Sequence, residues 1–439
     1  MKSLVRWMFA IVCIVAFAFP ASAQANEGLP GGRGVFAHVA IKNSERTVLH
    51  GDIAHYRFDV AVGRGQFDVI RLHRIVRERH PYRPIRTVDG VFLLPGAPNF
   101  FESIFMEPLI SSVPADRSIA VFLAKNEIDV WGMDYAWALV PPERTDFNFM
   151  NGWGLERDIQ HTEIALSIAR WIRGFTGQGF GRLHLLGFSW GVQIAYSVAG
   201  EETQKPHFLR NVKGIIPVDS SMKYDYEPFR VDSCDAAAYY QGLLDAAVYQ
   251  SDDGVFLKQV GDLAESAPDD PSPFVPGFTN YQFALFVGAS GELAHFVGGE
   301  FDEETGIPED LLYTEDWLWV DLLQAVPPYV PIQALRDFSA VQCNEVDVPF
   351  DDHLGEIAIP ILYVGAAGGE GQYGYYTTTL TASKDVTKFT VQLRPDEERM
   401  VDFGHADLFL ARDAETLVWK PILDWIIAHR SKRGHTTDD

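Results

Sequence analysis

The sequence predicts a doubly wound, mostly parallel α/β sheet interrupted by a mostly helical insertion. Three observations lead there. Short apolar runs that stop at Gly or Pro recur along the chain, as strands covered on both faces do. Amphipathic helical stretches stand between them, and β-α alternation of this kind builds parallel sheets through helical crossovers. Between roughly Tyr224 and Pro349 the rhythm breaks into aromatic and acidic helical stretches and the Pro-rich loop Pro268-Asp-Asp-Pro-Ser-Pro, as an inserted unit would.

Taken in order, Lys2 and Arg6 precede an uncharged stretch from Trp7 to Phe19, then Pro20 and the small residues Ala21, Ser22 and Ala23, the layout of a cleavable secretory signal over residues 1–23. The apolar stretch is shorter than the roughly 20 residues of a spanning helix, so no stable membrane insertion is expected after cleavage. A secreted or periplasmic protein is the expectation. The first part of the core, residues 24–223, begins with strands over residues 35–78, where Tyr56–Val62 and Phe67–Leu72 flank the turn Gly63-Arg-Gly. Buried strands follow at Gly90-Val-Phe-Leu-Leu-Pro-Gly and Ile128-Asp-Val-Trp-Gly-Met-Asp. A helix is predicted from Leu155 to Phe175, where Ile159, Ala165, Ile168, Ala169 and Ile172 recur at helical spacing. Leu183-His-Leu-Leu-Gly is the next strand, with a helix over about 191–199 and a strand at Val212-Lys-Gly-Ile-Ile-Pro-Val. After the insertion, residues 224–350, the core resumes over 351–439 with a strand at Ile359-Pro-Ile-Leu-Tyr-Val and an amphipathic helix over Glu415–His429.

Composition excludes several classes. Of 439 residues, 60 are Asp or Glu and 36 Lys or Arg, a net charge of −24. So acidic a protein with no basic run repels nucleic acid, and no nucleic-acid partner is expected. Cys13 falls in the signal, leaving Cys234 and Cys343 as a pair that an oxidising compartment would join into a disulfide. Closing a loop of roughly a hundred residues is worth roughly 4 to 5 kcal/mol in the chain-entropy picture. Neither Gly28-Leu-Pro-Gly-Gly-Arg-Gly nor Gly365–Gly374 has a phosphate-cradle ending, and neither Asp252-Asp-Gly nor Asp302-Glu-Glu has calcium-loop spacing. No cofactor and no metal are expected.

The chemistry centres on Gly187-Phe-Ser189-Trp-Gly191. It follows a short apolar strand and opens a helix, the setting in which small flanking residues permit a strained turn that thrusts the Ser hydroxyl upward. A free hydroxyl is a poor nucleophile, so an imidazole must take its proton and a carboxylate must fix the imidazole's tautomer.

With these residues the chain resembles the α/β-hydrolase superfamily over nearly all of its mature length. Leu93-Leu-Pro-Gly-Ala-Pro-Asn resembles the loop that builds the oxyanion hole, with Pro95 in place of the usual His. Asp129-Val-Trp-Gly-Met-Asp134-Tyr resembles the strand and turn before the first long helix, and Asp402-Phe-Gly-His405-Ala-Asp407-Leu resembles the loop carrying the catalytic His. The resemblance implies Ser189 as nucleophile and His405 as base. For the acid it leaves a choice between Asp219, at the end of the strand before the insertion, and Glu370, in the loop after Ile361-Leu-Tyr-Val; neither carboxylate is also an open outcome. It implies the backbone N–H groups of Trp190 and Ala97 as the oxyanion hole. The implied function is an exported serine hydrolase cleaving a small-molecule carboxylic ester, with the insertion as a lid. Two alternatives stand beside it. Gly-x-Ser-Trp-Gly also resembles proline iminopeptidases, which would make the chain an exopeptidase, and a non-catalytic binding protein could keep the same fold.

Overall fold

The predicted strand runs come together in one ten-stranded sheet in the computed structural model, which describes residues 39–106, 117–344 and 347–430. The expected signal, residues 1–23, lies outside the described residues. Six strands run parallel in the order Ile128–Asp134, Asp89–Leu94, Leu183–Phe188, Val212–Val218, Ile361–Ala366 and Val386–Val391. Against the first of these lies an antiparallel meander of Val69–His80, Ile53–Ala61 and Ala40–His50, and the short strand Arg83–Pro84 pairs with Val69–His80.

Alternation along the strands explains why both faces are covered. Val91 and Leu93 point into one apolar cluster, and Phe92 and Leu94 into another on the opposite face. The strand Leu183–Phe188 is buried throughout, which accounts for its near-continuous apolar sequence. The helix Leu155–Phe175 matches its expected limits, while that after Ser189 runs farther, over Trp190–Thr203. The strand expected from residue 359 begins at Ile361, because Pro360 has no N–H to give the ladder. The final helix starts as a π-helical turn at Glu415–Trp419 and continues as Lys420–Ala428.

The segment between the strands Val212–Val218 and Ile361–Ala366 is mostly helical: Glu227–Asp245, Asp253–Ser266, Asn280–Ala289, Asp316–Gln324 and Ile332–Cys343. Its apolar residues are continuous with the sheet's cores. Val260, Phe283, Leu318 and Trp319 join the cluster on one face, and Ala237, Ala340 and Val341 the cluster on the other. Cys234 and Cys343 form a disulfide between the first and last of these helices, 109 residues apart in sequence. Among the described residues no helix is long and apolar enough to cross a membrane.

Candidate active site

Ser189 sits between the strand Leu183–Phe188 and the helix Trp190–Thr203 at φ 53°, ψ −118°. A non-glycine residue in so sparsely populated a region carries on the order of 1–3 kcal/mol of strain, sustained only where surrounding structure enforces it. Crowding explains the two flanking glycines. A Cβ on Gly187 would stand 2.1 Å from the Gly191 carbonyl oxygen, and one on Gly191 would stand 2.6 Å from that of Leu94. Only bare backbone lets the strand turn so sharply into the helix.

The loop after the strand Asp89–Leu94 reaches the same point. A Cβ on Gly96 would lie 2.8 Å from Ser189 Cβ and 3.3 Å from its Oγ, so Gly96 lies against the serine. Trp190, as the first helical residue, has one of the N–H groups that a helix leaves without an internal carbonyl. Of the two expected oxyanion donors, Trp190 follows Ser189 directly in sequence, and Ala97 follows the Gly96 that packs against it.

Asp219, another positive-φ residue (45°), ends the neighbouring strand, where the Val218 carbonyl accepts from Ser189 N–H at 3.1 Å. Its Oδ2 lies 2.7 Å from His405 Nδ1. Backbone N–H groups fix the rest of the carboxylate: Ala366 and Gly371 donate to Oδ1 at 2.8 and 2.9 Å, and Glu370 donates to Oδ2 at 3.2 Å. The side chain of Glu370 does not meet His405. It is hydrogen-bonded to the Tyr224 hydroxyl, and burial, followed by the nearby Asp219 charge, pushes its carboxyl well above the usual carboxylate range. Of the two candidate acids, Asp219 is therefore the one on the imidazole.

Neighbours that the sequence did not mark hold the His405 ring. Phe188 stacks on it with centroids 4.5 Å apart, and Phe296 meets it edge-on at 5.9 Å. His405 N–H donates to the His295 carbonyl at 3.0 Å, and the His295 ring nitrogen Nε2 lies 2.7 Å from the Asp402 carbonyl. Asp407 accepts from Gly404 and Gly298 N–H and from the Thr314 hydroxyl, which ties the histidine loop to the helical segment between Val218 and Ile361; burial raises its carboxyl to about 6. Among the described residues the Ser189 hydroxyl has no hydrogen-bond partner. Catalytic contacts of this kind often close only around substrate.

Behind the serine, Asp158 Oδ2 accepts from the Trp137 and Trp190 indoles at 3.1 and 3.3 Å, and Trp190 stacks on Phe338. Burial pushes the Asp158 carboxyl up to about 7. Asp129, from the second motif, is ionised in the core. Burial opposes this, but Arg74 and Arg173 hold its carboxyl below the usual range.

No protein-family profile and no curated protein matches the chain. Among solved structures, a protein assigned as a lipase from Sulfolobus solfataricus is similar over 90% of this chain and 100% of its own, with a TM-score of 0.62 at 18% identity. A monoglyceride lipase from Saccharomyces cerevisiae aligns over 92% of this chain and 100% of its own, at TM-score 0.48 and 10% identity. The parallel sheet, the elbow at Ser189 and the 0.62 superposition lead to one conclusion: the chain has the α/β-hydrolase fold.

Proposed function

We propose that the protein is an exported serine hydrolase that cleaves carboxylic esters through an acyl-enzyme on Ser189. The observation that carries this reading is the 2.7 Å contact of Asp219 with His405 Nδ1, beside a serine held in a strained turn whose neighbour Phe188 stacks on that imidazole. Ser189 Oγ bonds to the ester carbonyl carbon as its proton passes to His405 Nε2. Asp219 keeps the other ring proton on Nδ1 and stabilises the imidazolium. The N–H groups of Trp190 and Ala97 receive the oxyanion, each worth about 3 kcal/mol of barrier. The alcohol leaves with the proton of His405, and water then repeats the sequence on the acyl-enzyme to release the acid.

The lipase assignment of the Sulfolobus solfataricus protein supports an ester as the substrate. Purified protein should turn over p-nitrophenyl esters of short or long acyl chain, and Ser189→Ala should lower that rate by several orders of magnitude. Turnover of aminoacyl p-nitroanilides without ester turnover would move the assignment to an exopeptidase. Inactivity on both would leave a binding protein on this fold. Export predicts that the mature N-terminus, read by Edman sequencing, follows Ala23.

A further inference from the structure

A second polar cluster lies away from the serine, in the antiparallel meander. We propose that His55, His73 and Glu102 form a binding site for a divalent transition-metal ion of the zinc type, clamping the meander to the segment that follows the Gly96–Asn99 loop. His55 is on the strand Ile53–Ala61, His73 on Val69–His80, and Glu102 in the short helix Phe101–Phe105. His55 Nε2 stands 2.9 Å from His73 Nδ1, and Glu102 Oε1 lies 4.0 Å from the first and 3.7 Å from the second. Zn–N and Zn–O bonds of about 2.0–2.2 Å in a tetrahedron put donor atoms roughly 3.3–3.5 Å apart. The three observed separations bracket that value.

The surroundings also fit a metal. His73 Nε2 faces Asp134 Oδ2 at 3.1 Å, and Phe101 N–H fixes the same carboxylate through Oδ1 at 2.7 Å. The carboxylate requires the ring proton on Nε2, so His73 Nδ1 presents a lone pair to the cluster. Outer carboxylates commonly hold metal-ligating histidines in this way. Phe101 stacks on the His73 ring at 4.5 Å and fixes its plane. Without a metal, His55 Nε2–H fills the lone pair of His73. With one, His55 binds through Nε2 and carries its proton on Nδ1, so the two imidazoles together neither gain nor lose a proton. Glu102 Oε1 accepts a hydrogen bond from Arg57 at 3.4 Å. Arg57 is a third exposed and also pairs with Glu45, so it can yield to a cation.

The ligands come from positions 55, 73 and 102, too far apart in sequence to form a compact metal motif. The test uses the full protein after EDTA treatment and dialysis, titrated with zinc chloride by isothermal calorimetry and followed by thermal unfolding. One zinc per chain is expected, with an unfolding midpoint that rises with free zinc. Glu102→Gln and His55→Gln should each weaken binding at least tenfold, and Asp134→Asn, which touches no metal, about 10–100-fold. No saturable uptake by the wild type refutes the site, whether or not the variants fold. Equal affinity in the wild type and both ligand variants refutes it as well, by placing the zinc elsewhere.

Discussion

Replacing Asp219 with Asn changes one oxygen to an NH2 group, and the structure fixes which way the amide must sit. Oδ1 accepts two backbone N–H groups, from Ala366 and Gly371 at 2.8 and 2.9 Å, so the amide carbonyl has to stay there. The NH2 then takes the place of Oδ2 and points an N–H at His405 Nδ1, where the carboxylate now lies at 2.7 Å. His405 can answer only by accepting on Nδ1, which moves its own proton to Nε2. In that tautomer it cannot take a proton from Ser189. The amide also opposes the Glu370 N–H that now donates to Oδ2. Loss of the correct tautomer costs about 10⁴ in kcat, or roughly 5 kcal/mol of barrier. Steady-state ester hydrolysis, with circular dichroism to confirm folding, measures it. A folded Asn variant retaining more than a tenth of wild-type kcat would refute the assignment of Asp219.

Glu370→Gln should leave kcat within about threefold, because the carboxyl it replaces is buried and bonded to Tyr224 rather than to His405; a loss of the Asp219→Asn size would exchange the two roles. Gly96→Ala pushes a methyl group against Ser189 and should lower kcat about a hundredfold in a protein that still unfolds cooperatively, read by ester turnover and thermal melts. Burial raises the Asp158 carboxyl to about 7, so the stability contributed by its neutral form is fully present below about pH 4 and is lost as pH rises through 7. Chemical denaturation should show Asp158→Asn gaining on wild type by up to about 1.4 kcal/mol per pH unit across that window, with no such trend if the carboxylate is ionised throughout. The Cys234→Ala, Cys343→Ala double variant should lose about 2–5 kcal/mol in guanidinium unfolding.

What was legible in the sequence follows from which forces act locally. Strands buried on both faces, such as Leu183–Phe188, leave near-continuous apolar runs, and the elbow leaves two glycines because the backbones of Gly187 and Gly191 nearly touch. The edge strand Val386–Val391 left no such mark, since with one neighbouring strand it stays half-exposed and keeps Thr and Lys. The choice between Asp219 and Glu370 stayed open for a different reason. The two residues are neighbours, the Glu370 N–H donating to Asp219 Oδ2, and their difference arises from the backbone N–H groups around Asp219 and from Tyr224, contacts spanning about 150 residues. The mostly helical segment between Val212–Val218 and Ile361–Ala366 shows in the sequence as a break in rhythm. Its anchorage to the histidine loop, through Asp407 with Gly298 and Thr314, depends on pairings across about a hundred residues that no local pattern encodes.

Reaction with a fluorophosphonate, followed by peptide mapping in a mass spectrometer, tests the proposed nucleophile most directly. A single phosphonylated site is expected, at Ser189, with labelling slowed by several orders of magnitude in His405→Ala and Asp219→Asn. Modification of another serine, or labelling of Ser189 at an undiminished rate without His405, would contradict it.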